Sequence, residues 1–142
     1  MFVSVIYAIN LNIPVTAEEN EQDVIFSPNW MIEDGYKEEI EENQEILPFT
    51  TIVNVNWKVG VKTEKKTKAF HKKAGSKIIV DISVLQKKKA YIGIAAKNIG
   101  KIYVNTTDKA KKTFYIKKTG EYSVFVTNKS DSTIHVVGNY TK

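Results

Sequence analysis

From Val53 onward the chain alternates. Val53, Val55, Trp57, Val59 and Val61 are apolar, and Asn54, Asn56, Lys58, Gly60 and Lys62 between them are polar or small. Successive side chains of a strand point to opposite faces, so this stretch predicts a half-buried strand with one wet face. Ile78, Val80, Ile82 and Val84 repeat the pattern against Ile79, Asp81, Ser83 and Leu85. Tyr91–Ala96 is apolar but rich in small residues, which predicts a strand closely approached by a neighbouring sheet or backbone. Further strands are predicted at Ile102–Asn105, Thr113–Lys117, Tyr122–Thr127 and Thr133–Tyr140. Turn chemistry separates them at Asn98-Ile99-Gly100, Thr107-Asp108-Lys109, Lys118-Thr119-Gly120 and Asn128–Ser132. About seven strands without any long helical period predict an all-β fold, an antiparallel β-sandwich with a β-barrel as the alternative.

Two stretches fall outside this alternation. Residues 62–77 read as a long lysine-rich connection ending at Ala74-Gly75-Ser76. Residues 18–49 read as an acidic, mostly irregular segment with sparse apolar positions. Within it Val24-Ile25-Phe26 is a candidate short strand. Residues 36–46 have the length of about three helical turns, but Ile40 and Leu47 are nearly the only residues such a marginal helix would bury. Pro48 marks the boundary to a lysine-rich domain at 50–142.

Residues 1–17 resemble a secretory signal. The apolar run from Phe2 to Ile13 is too short and interrupted to span a membrane, and Val15-Thr16-Ala17 puts small residues at −3 and −1 of a cleavage site before Glu18-Glu19. The positive n-region is missing, which fits a true start upstream of Met1; the alternative reading of these residues is a mature N-terminal strand. The expectation is a secreted or cell-envelope-associated protein with no transmembrane segment in the mature chain.

Charge sharpens this division. Residues 1–49 hold eleven of the sixteen acids and one of the twenty-one lysines, a balance of −10, and residues 50–142 hold the rest, a balance of +15. There is no cysteine, which excludes disulfides, thiolate metal sites and cysteine nucleophiles. There is also no arginine. Lys62, Lys65, Lys66, Lys68, Lys72, Lys73 and Lys77 crowd one connection and Lys87, Lys88 and Lys89 one turn, and these ten are the candidate anion-binding residues. Lysine is a hydrated point charge without arginine's planar fork, so the pattern points to diffuse, salt-sensitive attraction and away from sequence-specific nucleic-acid reading. The acidic segment is expected to fold back on the basic domain as a screen or a removable pro-segment.

Phe114-Tyr115-Ile116-Lys117-Lys118-Thr119-Gly120-Glu121-Tyr122-Ser123-Val124-Phe125-Val126-Thr127-Asn128 is similar to the closing hairpins of small secreted bacterial β-sandwiches. In particular residues 113–142 resemble the end of bacterial pre-peptidase C-terminal domains, where a strand is followed by Gly-x-Tyr-x-Val and a last strand. The resemblance implies a sandwich fold and an extracellular setting, and it transfers no catalytic or metal residue. The residues have their own reading: Gly120 permits the turn, Tyr122 points inward, and Val124 and Val126 continue the buried row.

Candidate chemistry is thin. His71 lies in the lysine-rich connection and His135 alternates outward, with no nucleophile elbow or Gly-rich oxyanion loop. In the basic domain Glu64, Asp81, Asp108, Glu121 and Asp131 lie beside lysines or in turns, and only Asp81 sits mid-strand. No spacing of these groups makes a zinc or calcium set. The expectation is no enzyme and no cofactor. Three sequons begin at Asn105, Asn128 and Asn139. The leading functional reading is a non-enzymatic protein whose basic sandwich meets an anionic wall polymer, lipid headgroup or glycan. A carbohydrate- or protein-recognition module is the alternative, and a secreted toxin or antibacterial effector the third.

Overall fold

The computed structural model describes residues 15–17, 23–41 and 51–142. Twelve strands run through them: β1 (Val15–Ala17), β2 (Ile25–Ser27), β3 (Lys37–Glu41), β4 (Ile52–Val59), β5 (Thr63–Thr67), β6 (Phe70–Lys72), β7 (Lys77–Val84), β8 (Ala90–Ala96), β9 (Gly100–Thr106), β10 (Lys109–Ile116), β11 (Gly120–Asn128) and β12 (Ile134–Thr141). They form two open sheets. One has the order β1-β10-β7-β12-β4, and the other β2-β9-β8-β11-β5-β3 with β6 also paired to β11. The fold is therefore the β-sandwich, and neither sheet closes into the alternative barrel. Among the described residues no helix is long and apolar enough to cross a membrane.

All seven predicted strands are present, as β4 and β7–β12. Their alternation fills the space between the sheets. Val55, Trp57, Val59, Ile78, Val80, Ile82 and Val84 from one sheet meet Ile92, Ile94, Ile102, Val104, Val124 and Val126 from the other in a single core. Burying a branched aliphatic side chain of this kind contributes roughly 1.5–3 kcal/mol, so the period-two pattern is itself the main driving force for the fold. Tyr122 also points inward, as its place after Gly120 predicts, and is 1% exposed. Its hydroxyl donates to the Lys118 carbonyl four residues back, which closes the turn between β10 and β11.

The lysine-rich connection is a correction. Residues 62–77 contain β5 and β6, which pair in succession along one edge of β11: Glu64, Lys65 and Lys66 against Thr127, Val126 and Phe125, then Phe70, His71 and Lys72 against Tyr122, Glu121 and Gly120. Between the two, the Val124 amide donates to the Thr67 hydroxyl at 3.1 Å, so β11 keeps its donor satisfied where the partner strand breaks.

The acidic segment is also built into the sandwich where it is described. β2 pairs antiparallel with β9, and β3 pairs in parallel with β5. These are opposite edges of the same sheet, so residues 28–36 cross its outer face from edge to edge. The candidate strand at 24–26 matches β2 within a residue. Residues 37–41 are a strand instead of the first turn of a helix; the rest of that candidate helix and the Pro48 boundary lie outside the described residues. Residues 1–14 of the candidate signal also lie outside them. The backbone of Val15–Ala17 pairs antiparallel with Phe114–Ile116.

Two core tyrosines give the fold an alkaline limit. Burial pushes the Tyr122 phenol up to about 12 from an ordinary 10.0, and burial does the same for Tyr140, partly offset by its hydrogen bond with Thr67. Between pH 10 and 12 the folded chain keeps these protons while the unfolded chain has released them. Stability is therefore full below pH 10 and falls as pH rises toward 12, by at most about 1.4 kcal/mol per pH unit for each tyrosine. Denaturant unfolding at a series of alkaline pH values should show this decline, with a shallower slope in Tyr122→Phe. A flat stability profile across that window would contradict it.

Candidate functional site

The ten candidate lysines do not share one face. Antiparallel topology sends the connections to two opposite ends of the sandwich. At one end the Asn128 amide donates to the Val59 and Gly60 carbonyls and the Lys129 amide to the Lys89 carbonyl. This gathers the turn holding Lys62 with the turn holding Lys87, Lys88 and Lys89. Lys87 is ion-paired there to Asp108, whose carboxyl is held below its ordinary range chiefly by that hydrogen bond.

Lys72, Lys73 and Lys77 lie at the other end. There the Ala74 amide donates to the Thr119 hydroxyl at 2.9 Å, and the Gly75 amide to the Ile116 carbonyl at 2.8 Å. The Lys97 amide donates to the Glu121 carbonyl at 3.1 Å. Three loops are thus stitched together, and they add Lys97, Lys117 and Lys118 to the candidates. Glu121 lies at this end, and its carboxylate is engaged by His71 Nδ1 at 3.0 Å. Burial lowers the Lys72 ammonium from its ordinary 10.5. Lys68 is exposed between β5 and β6.

Lys65 and Lys66 belong to neither end. They sit on β5 beside the acidic β3, where Lys66 pairs with Glu38 at 2.8 Å and Lys65 lies over the Trp57 ring at 5.6 Å. Trp57 is 3% exposed and donates its indole N–H to Glu41 at 2.7 Å, so it offers no aromatic platform to a sugar.

Beneath residues 28–36 lies a second polar constellation that sequence reasoning missed. β11 is buried on both faces: Tyr122, Val124 and Val126 face the core, while Ser123, Phe125 and Thr127 face outward under the acidic crossing. Tyr103 stacks on Tyr91 at 4.6 Å and meets the edge of Phe125 at 6.0 Å. Lys129 reaches over the rings of Tyr36 and Tyr91 and pairs with Glu33 at 2.9 Å. Burial opposes the Lys129 charge, but hydrogen bonds to Glu33 and Tyr36 outweigh it and hold the ammonium charged above the ordinary lysine range. Deeper still, Lys101 pairs with Glu64 at 2.5 Å, with side chains 7% and 1% exposed.

His135 is hydrogen-bonded to Asn56 on the outer face of the other sheet. Among the described residues no three metal-ligating side chains come together. Of the sequons, Asn128 is fully buried with its amide donating to three carbonyls, which closes it to glycosylation.

Known proteins add nothing to this geometry. No family model, curated protein or solved structure matches the chain.

Proposed function

We propose that this is a non-enzymatic protein of the cell exterior that holds an anionic polymer against one end of its sandwich. The observation that carries the reading is the loop cluster at residues 73–76, 97–99 and 117–119. Its backbone cross-bonds fix Lys72, Lys73, Lys97, Lys117 and Lys118 near one another, and Glu121 beside them is already occupied by His71. Fixed cations on a rigid frame concentrate a field without the entropy loss of ordering a floppy basic tail. The exterior setting rests on the signal-like apolar run at residues 2–13 and on the bacterial sandwich resemblance at 113–142, while Val15–Ala17, beside the candidate cleavage site, pair with β10. Held by field alone, the polymer would be recognised by charge density and not by sequence.

The test is retention of the protein on immobilised polyphosphate and dextran sulfate across a salt series. Binding should weaken steeply with salt. Replacing Lys72, Lys73, Lys117 and Lys118 by Gln should flatten the log–log salt slope by about 0.7–0.9 per lysine that touches the polymer. The same replacements at Lys62, Lys87, Lys88 and Lys89 should change it less. No retention at the lowest salt would sink the proposal, and retention on anionic vesicles alone would move it to a membrane surface.

A further inference from the structure

The Lys101–Glu64 pair is not an ordinary salt bridge. The two residues sit on β9 and β5, with β8 and β11 between them. The lysine side chain crosses both intervening strands, past the small outward positions Ala95 and Gly93 and over the Phe125 ring at 4.8 Å. It ends 2.5 Å from Glu64 Oε1. The Thr127 hydroxyl donates to the same oxygen at 2.8 Å. The other carboxylate oxygen, Oε2, is buried without a hydrogen-bond partner. Removing two ions from water is costly, and here one carboxylate oxygen receives nothing in return.

We propose that Lys101 and Glu64 join in an amide bond, a modification the chain makes on itself without a co-reactant. One proton passes from Nζ to Oε1, the oxygen it touches, leaving an amine and a carboxylic acid. The nitrogen lone pair attacks Cδ, and negative charge develops on Oε2. The carbon–Oε1 bond then breaks, and Oε1, already hydrogen-bonded by the Thr127 hydroxyl, takes a second proton from the nitrogen and leaves as water. One C–N bond forms, one C–O bond breaks, and both charges disappear. The oxygen that stays is the one lacking a partner, and as an amide carbonyl it no longer carries a buried charge. A cavity between the acidic crossing and the sheet, lined by Asn29, Met31, Lys101 and Thr127, gives the water a way out. The product is a covalent tie across four strands, in a chain that has no cysteine to make one.

Trypsin digestion of the denatured full-length chain decides the matter, on protein analysed fresh and after prolonged incubation in the folded state. Trypsin does not cut after an acylated lysine. The expected product is residues 63–65 joined to residues 98–109, lighter than the two peptides together by one water. Lys101→Arg and Glu64→Ala should each abolish it. Full recovery of unlinked 63–65 and of 98–101 from both samples would overturn the proposal. The wild-type digest is decisive alone, so a variant that fails to fold does not remove the test.

Discussion

Gly138→Ala is expected to lower the unfolding free energy by about 3–5 kcal/mol, combining backbone strain with overpacking between rigid strands. Gly138 lies in β12, the strand hydrogen-bonded to β7 on one side and β4 on the other, with Ile82 and Val55 as its register partners. Its φ is +152°, a conformation in which L side chains are strained. An added Cβ would stand 2.0 Å from the Asp81 carbonyl oxygen and 2.8 Å from Ile82 Cα. Both obstacles are backbone atoms of a central strand, so no side chain can rotate away. Gly75 is the control: its φ is +92°, but a Cβ there meets nothing within 4 Å. Gly75→Ala should therefore cost about 1 kcal/mol, the conformational part alone. Denaturant midpoints at constant slope measure both. A Gly138→Ala chain as stable as Gly75→Ala would refute the steric account.

Neither glycine effect was legible in the sequence, because close approach depends on which strands become neighbours. What was legible is the inner face. The rows Val55-Trp57-Val59 and Ile78-Val80-Ile82-Val84 alternate because their outward partners meet water, and the same rows form the core. β5 was missed for a physical reason. Thr63-Glu64-Lys65-Lys66-Thr67 has no apolar row, since Lys65 lies over Trp57 while Glu64 is buried under the acidic crossing by its pairing with Lys101 and Thr127. Period-two reading detects strands that bury carbon. It is blind to a strand that buries charge against charge.

The aromatic residues carry a further signal. Tyr91, Tyr103 and Phe125 all fall on outward positions of adjacent strands. Three aromatic rings on an outward face require a cover, and the acidic stretch, the longer of the two outside the alternation, is long enough to supply it. The partnership of Lys101 with Glu64 had no such signal, because it reaches across two strands whose order no local pattern specifies. The lysine end was half legible. Lys72, Lys73 and Lys77 stood out as a run, but Lys97, Lys117 and Lys118 join them only through loop-to-loop hydrogen bonds.

These contacts change what the acidic segment is expected to do. As a detachable electrostatic screen, its removal would leave a folded domain that grips polyanions more tightly. As the outer layer of the second sheet, its removal should cost the fold. A chain lacking residues 23–41 loses Val24 from the core, the partner of the Trp57 indole N–H, and the cover over fully buried Phe125. Re-exposing one large apolar side chain costs roughly 1.5–3 kcal/mol, and leaving a buried donor unpaired about 1–3 kcal/mol. Opening the Lys101–Glu64 site to water adds to both, against a total stability that is ordinarily about 5–15 kcal/mol. The deleted chain is expected to lose its cooperative transition, with red-shifted Trp57 emission and dye-binding apolar surface. A charge-only variant, Glu33→Gln with Glu38→Gln, should stay folded, because Gln keeps a hydrogen-bond acceptor for the largely buried Lys129 and Lys66 and both replaced side chains reach the surface. If the deleted chain instead unfolds cooperatively near the wild-type midpoint and elutes from polyphosphate at higher salt, the segment is a screen and the outer layer is dispensable. The two outcomes separate on one denaturation curve, because a screen contributes charge while a layer contributes buried area.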